Sequence, residues 1–138
     1  MRRSIIMLLG LGLALAACSK SPQAKTTPTP TLGARIASTA RIAIVAPTPG
    51  QTVKGPNVTV KVKLTGGTIT KIVSQDVKPD VGHVHILMDG QIITLLAGYS
   101  FTIPHVSKGP HLIQAEFVEV NHAPFYPAVQ QSVSIRVI

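Results

Sequence analysis

Five histidines are the side chains best equipped for chemistry in a chain that carries one cysteine and five acidic residues. Four of them fall in two stretches, "GHVHILMDG" and "GPHLIQAEFVEVNHAP". His83 and His85 are two apart, so on an extended strand they share a face while Val84, Ile86 and Met88 take the other. The apolar face belongs to the core, which leaves both imidazoles outside, roughly 6 to 7 Å apart at the strand's start. A strand ending at Val120 and running antiparallel beside this one would bring Asn121-His122 over the pair. Three neutral imidazoles gathered there make a ligand set for copper or zinc, both of which accept nitrogen donors. The competing reading is structural, because a strand histidine commonly bonds to a loop carbonyl and His122, before Ala123-Pro124, can brace a turn. His111 opens a long strand on the face of Ile113, Ala115 and Phe117 and reads as a satisfied, half-buried histidine. His105 sits between Pro104 and Val106 in a loop, and Met88 reads as core filler.

Other chemistries lack their parts. There is no G-x-S-x-G, no glycine-rich phosphate loop before a helix and no second cysteine for redox work. Glu116 and Glu119 face opposite sides of one strand, which denies them a paired-carboxylate role, and Asp89 is explained by a turn. His-x-His also occurs in hydrolase metal motifs, but the next His or Asp arrives at the wrong spacing. The expectation is a protein that is not an enzyme, with no organic cofactor.

The elements that must position these residues are strands. "RIAIVAP" is an apolar run stopped by Pro47 and Pro49, and "NVTVKVKL" alternates strictly, with Val58, Val60, Val62 and Leu64 on one face. Gly66-Gly67 turns the chain into "TITKIVS", and Asp89-Gly90 joins "HVHILM" to "QIITLLA" with a strong hairpin signal. "YSFTI", "HLIQAEFVEV" and "QQSVSIRVI" follow. Seven or eight short strands with frequent turns indicate an all-β fold, an immunoglobulin-like β-sandwich over residues 41–138. The pattern Gly82-His83-x-His85, Asp89-Gly90, Gly109-x-His111 and His122-x-Pro124 resembles small secreted β-sandwich domains of unassigned function in bacterial envelope proteins. The likeness covers Gly82 to Ile138, more loosely from Pro47, and implies the fold and an envelope setting without an activity.

The N-terminus reads as an address. Arg2 and Arg3 precede an uncharged apolar run, Ile5 to Ala14, and a small-residue site, Leu15-Ala16-Ala17, before Cys18. The run is too short for the ~20 residues of a spanning helix, so residues 1–17 are expected to be removed. Leu-Ala-Ala-Cys resembles the lipobox of bacterial lipoproteins, and the resemblance implies a thioether-linked diacylglycerol on Cys18. Two or three acyl chains hold a protein stably on a membrane where one would be marginal. Ser19 follows, not the Asp that would signal inner-membrane retention. Residues 18–40, rich in Pro, Thr, Ser and Lys, carry almost no large apolar side chains and read as a flexible tether of up to roughly 60 Å.

Thirteen basic residues less Arg2 and Arg3 leave eleven, which against five acidic ones give the processed chain a net charge of +6. The cations are spread from Lys20 to Arg136 and aromatics number five, a poor footprint for nucleic acid. Anionic head groups or wall polymers suit it better. Two functions are therefore expected: a lipid-anchored cell-envelope binding or structural module, engaging an envelope protein or cell-wall polymer from the membrane, periplasm or cell exterior; or an envelope metal-binding lipoprotein using His83, His85 and His122.

Overall fold

The computed structural model describes residues 35–96 and 98–138; Cys18, the signal segment and the expected tether through residue 34 lie outside the described residues. Nine strands run through the described part: β1 (Arg41–Ala46), β2 (Thr52–Val53), β3 (Val58–Thr65), β4 (Thr68–Ile69), β5 (Val81–Met88), β6 (Gln91–Leu96), β7 (Ser100–Ile103), β8 (Gly109–Glu119) and β9 (Pro124–Val137). They form two sheets, β1-β3-β7 and β2-β9-β8-β5-β4, with β6 beside β5. This is the expected immunoglobulin-like sandwich.

The valine alternation of β3 does what its period requires. Val58, Val60 and Val62 are buried while Thr59, Lys61 and Lys63 are exposed, and Ile42 and Ile44 of β1 join them from the adjacent strand. From the larger sheet Val84, Ile86, Ile113, Ala115, Phe117, Val133 and Ile135 close the core. Phe117 and Phe125 stack within it at 5.2 Å between ring centroids. Asp89 and Gly90 both have positive φ, 51° and 81°, the backbone of a type I′ turn, and the β5–β6 hairpin follows from it. "TITKIVS" is the exception, since only Thr68 and Ile69 pair, parallel to Val81 and Gly82, before the chain leaves the sheet. Its next residues are held by isolated bonds, such as Ser74 N–H to the Val120 carbonyl, and leave Ile72 and Val73 exposed.

The packed unit also starts earlier than Arg41. Ile36 donates its N–H to Glu119 Oε1 (3.2 Å) and accepts the N–H of Tyr126 (3.0 Å), and Ala40 is 5% exposed in the core. The Asp80 carboxylate gathers the Ser38 hydroxyl at 2.6 Å and the N–H groups of Thr39 and Ala40 at 2.7 and 3.1 Å. Composition misses this segment because its order comes from partners elsewhere in the fold and not from its own apolar content. Among the described residues, packed contacts thus reach back to Ile36, inside the stretch expected to be tether.

Candidate histidine site

β5 and β8 pair antiparallel with Gly82 opposite Glu119, His83 opposite Val118, His85 opposite Glu116 and Ile86 opposite Ala115. Because Phe117 and Ala115 point into the core, Glu116 and Val118 point out, on the same face as His85 and His83. β8 ends in a tight return in which His122 N–H bonds to the Glu119 carbonyl (2.9 Å) and Asn121 Oδ1 accepts the Ala123 N–H (2.9 Å). His122 takes a left-handed φ of 68°, a conformation that costs a non-glycine residue about 1 kcal/mol. That turn folds its ring back over β5, and the three imidazoles expected to gather do so.

Their geometry separates them into two roles. His83 lies between two backbone carbonyls, with Nδ1 2.8 Å from that of Thr70 and Nε2 3.3 Å from that of Val120. Carbonyls only accept and a neutral imidazole carries one N–H, so His83 donates to one of them, and the shorter contact, to Thr70, makes it a brace for the loop after β4. Its ring stacks on His122 at 4.6 Å between centroids and 17° between planes. His85 and His122 instead meet through nitrogens, His85 Nε2 to His122 Nδ1 at 3.2 Å. Their centroids are 5.4 Å apart and their planes 20° apart. The excess of 5.4 over 3.2 Å is roughly two ring radii, so these rings meet edge to edge with the nitrogens aimed at one another. Burial, then the neighbouring His122 and His83, holds the His85 imidazole below its usual range, and burial followed by His83 does the same for His122. Both are therefore neutral near pH 7, sharing one N–H···N bond. Among the described residues, no three His, Cys, Asp or Glu side chains are arranged to hold a metal ion.

Glu116 is the residue that sequence reading passed over. Its sequence position pairs it only with Glu119 on the opposite face, yet the register places it directly across from His85 on the same face. Burial raises its carboxyl above the usual carboxylate range. The parity signal was available: Phe117 marks the inward positions of β8, and Glu116 is its outward neighbour. Glu119 is inward and 2% exposed, capped by Ile36 N–H.

The other two histidines lie elsewhere. His111 Nδ1 donates to Asp89 Oδ2 (2.7 Å) and Nε2 faces the Ser107 carbonyl (2.9 Å), with Ser107 Oγ farther off at 3.4 Å. By residue type this is a Ser-His-Asp set. It is not one in its protons, because the base nitrogen of a triad must be free to accept from the serine hydroxyl, whereas Nε2 here donates to a carbonyl. The bond to Asp89, then that to Ser107, raises His111 above its usual range, which further removes its lone pair. His111 is thus satisfied, as its core-side position suggested, and His105 sits in the β7–β8 loop at a positive φ of 56°.

No family model and no curated protein matches the chain. Among solved structures, the chain is similar to fibronectin(III)-like modules of Clostridium thermocellum CbhA, at 20% identity and a TM-score of 0.53 over 74% of this chain and 47% of that one. The likeness is one of fold. An endo-beta-1,4-mannanase from Thermotoga petrophila also matches, at 14% identity and a TM-score of 0.46 over 72% of this chain and 20% of that one. The chain thus spans less than half the length of either.

Proposed function

We propose that this chain is a lipid-anchored cell-envelope binding module, not an enzyme, which receives a strand of a protein partner along β6. The observation that carries the reading is the edge itself. Among the described residues β6 pairs only with β5, and its sequence, Gln-Ile-Ile-Thr-Leu-Leu, holds neither charge nor proline. Ile92, Ile93 and Leu95 are 57%, 40% and 54% exposed. Soluble proteins usually blunt such edges with lysine, proline or a bulge, and the register shift opposite Ile86/Leu87 is the single such device on β6. An edge kept apolar suits strand addition, in which main-chain bonds give affinity and alternate side chains give specificity. The Leu15-Ala16-Ala17-Cys18 sequence supports attachment to a membrane, facing the periplasm or the cell exterior.

The test places a photo-crosslinking residue at Ile92, Leu95 or, as a control on the opposite sheet, Lys61 in living cells. Discrete protein adducts from the two β6 positions and not from Lys61 are expected. Equal labelling at all three, or none, overturns the edge reading. Cys18→Ala should release the protein from membranes or leave its signal uncut; a wild-type chain beginning beyond residue 18 without lipid overturns the anchor. A second reading, an envelope metal-binding lipoprotein, is favoured by the gathering of His83, His85 and His122.

A further inference from the structure

We propose that His85 and His122 form a two-coordinate site for a monovalent d10 cation, copper(I) in the cell, bound in line between His85 Nε2 and His122 Nδ1. The proposal rests on the histidine geometry and is independent of the β6 edge. The two nitrogens face each other at 3.2 Å with one proton between them. An ion between them requires the donor ring to carry its proton on its other nitrogen, so that both facing nitrogens present lone pairs, and requires the rings to separate, since two bonds of about 2 Å set end to end span about 4 Å. His122 can yield this distance, because it sits on the turn after β8 and is half-exposed, while His85 is fixed in β5 at 5% exposure.

The same geometry argues against zinc, which was the other ion the sequence suggested. Zinc takes four ligands at tetrahedral angles, whereas here two ring nitrogens oppose each other and no third donor converges among the described residues. His83 does not aim a nitrogen between the pair, since its ring stacks on His122 and its nitrogens are directed at the Thr70 and Val120 carbonyls. In-line coordination by two nitrogens is instead the preference of copper(I) and silver(I), and imidazole suits copper. The surroundings fit a low-coordinate, poorly solvated ion: the His83 ring covers one face of His122. Across β5, Leu95 and Glu116 stand opposite His85 on either side.

The experiment titrates the metal-free full chain in mild detergent with silver(I), and with copper(I) kept reduced by ascorbate in competition with a chromogenic copper(I) chelator. Zinc(II) is titrated in parallel. One copper(I) or silver(I) per chain is expected, with X-ray absorption reporting two nitrogen neighbours. His122→Asn, chosen because asparagine tolerates the left-handed backbone, should weaken binding by more than the roughly 100-fold that losing a supporting group costs, at an unchanged melting curve. His85→Ala should lose binding likewise, with some loss of stability because the side chain is buried, and His105→Ala should leave binding intact. Absence of copper(I) and silver(I) binding, binding that survives H122N in a folded protein, or zinc bound as tightly with the same histidine dependence each overturns the proposal.

Discussion

Removing residues 19–40 should destabilise the sandwich heavily, although their composition marks them as a dispensable tether. Three losses set the magnitude. The half-buried Ile36 side chain and the 5% exposed Ala40 methyl give up apolar burial worth about 1 and about 0.8 kcal/mol. Glu119, 2% exposed, loses the Ile36 N–H that caps it, and an orphaned buried acceptor costs about 1–3 kcal/mol. The Tyr126 N–H and the Asp80 carboxylate also lose partners, but Tyr126 is exposed and Asp80 only partly buried, so water replaces those bonds. The total is about 3–5 kcal/mol, which for a domain near 100 residues lowers the melting temperature by well over 10 °C. Urea and thermal unfolding of residues 19–138 and 41–138 measure it. A second substitution isolates the glutamate: Glu119→Leu should destabilise the longer chain but recover about 1 kcal/mol in the shorter one, where the carboxylate has no donor to lose. A truncation cost under about 0.5 kcal/mol, or the same sign for Glu119→Leu in both chains, would refute the reasoning.

Gly82→Ala should prevent folding or cost more than about 4 kcal/mol, because a Cβ there overlaps the Val118 carbonyl oxygen across the ladder; circular dichroism and refolding yield report it. Asp89→Asn should cost less than about 1 kcal/mol, the range of exposed ion pairs, and its cost should depend on pH. Hydrogen bonds from Leu112 N–H and His111 lower Asp89 from its ordinary 3.8, so its contribution is present above that value and fades as pH falls through the lowered one. His111 is raised from its ordinary 6.5, so its contribution is complete below 6.5 and fades as pH rises through the raised value. The difference in unfolding free energy between wild type and D89N should thus be largest between about pH 4 and 6.5; a difference that grows toward pH 9 contradicts this assignment. Placing lysine at Ile92 should leave the melting temperature within about 2 °C, since the side chain is 57% exposed, while removing β6 crosslinks.

Much of the sandwich was legible because its strands carry their faces in their own residues. The period of Val58 to Leu64 and the Asp89-Gly90 turn are local statements, and local statements survive folding. What sequence could not give was order borrowed from a distance. Asp80 fixes Ser38, Thr39 and Ala40 across some forty residues of chain, and neither end signals the other. "TITKIVS" fails for the reverse reason: its β-forming residues meet a sheet partner only at Thr68 and Ile69, since β6 occupies the rest of that side of β5. A strand needs a vacant ladder as well as a propensity.

At the histidine site the same distinction decides which residues were found. Parity placed His83 and His85 on one face, and antiparallel pairing of β5 with β8 brought His122 to them, so the gathering followed from sequence. Their division into a brace and an in-line pair did not, because it turns on the carbonyls of Thr70 and Val120, and carbonyl positions belong to the loop path and not to residue type. Chemistry inferred from residue identity alone treats three imidazoles as three ligands. Once one ring is turned toward loop carbonyls and stacked on its neighbour, the remaining two face each other alone, and the direction of the lone pairs, more than the number of histidines, selects which cation the site can hold.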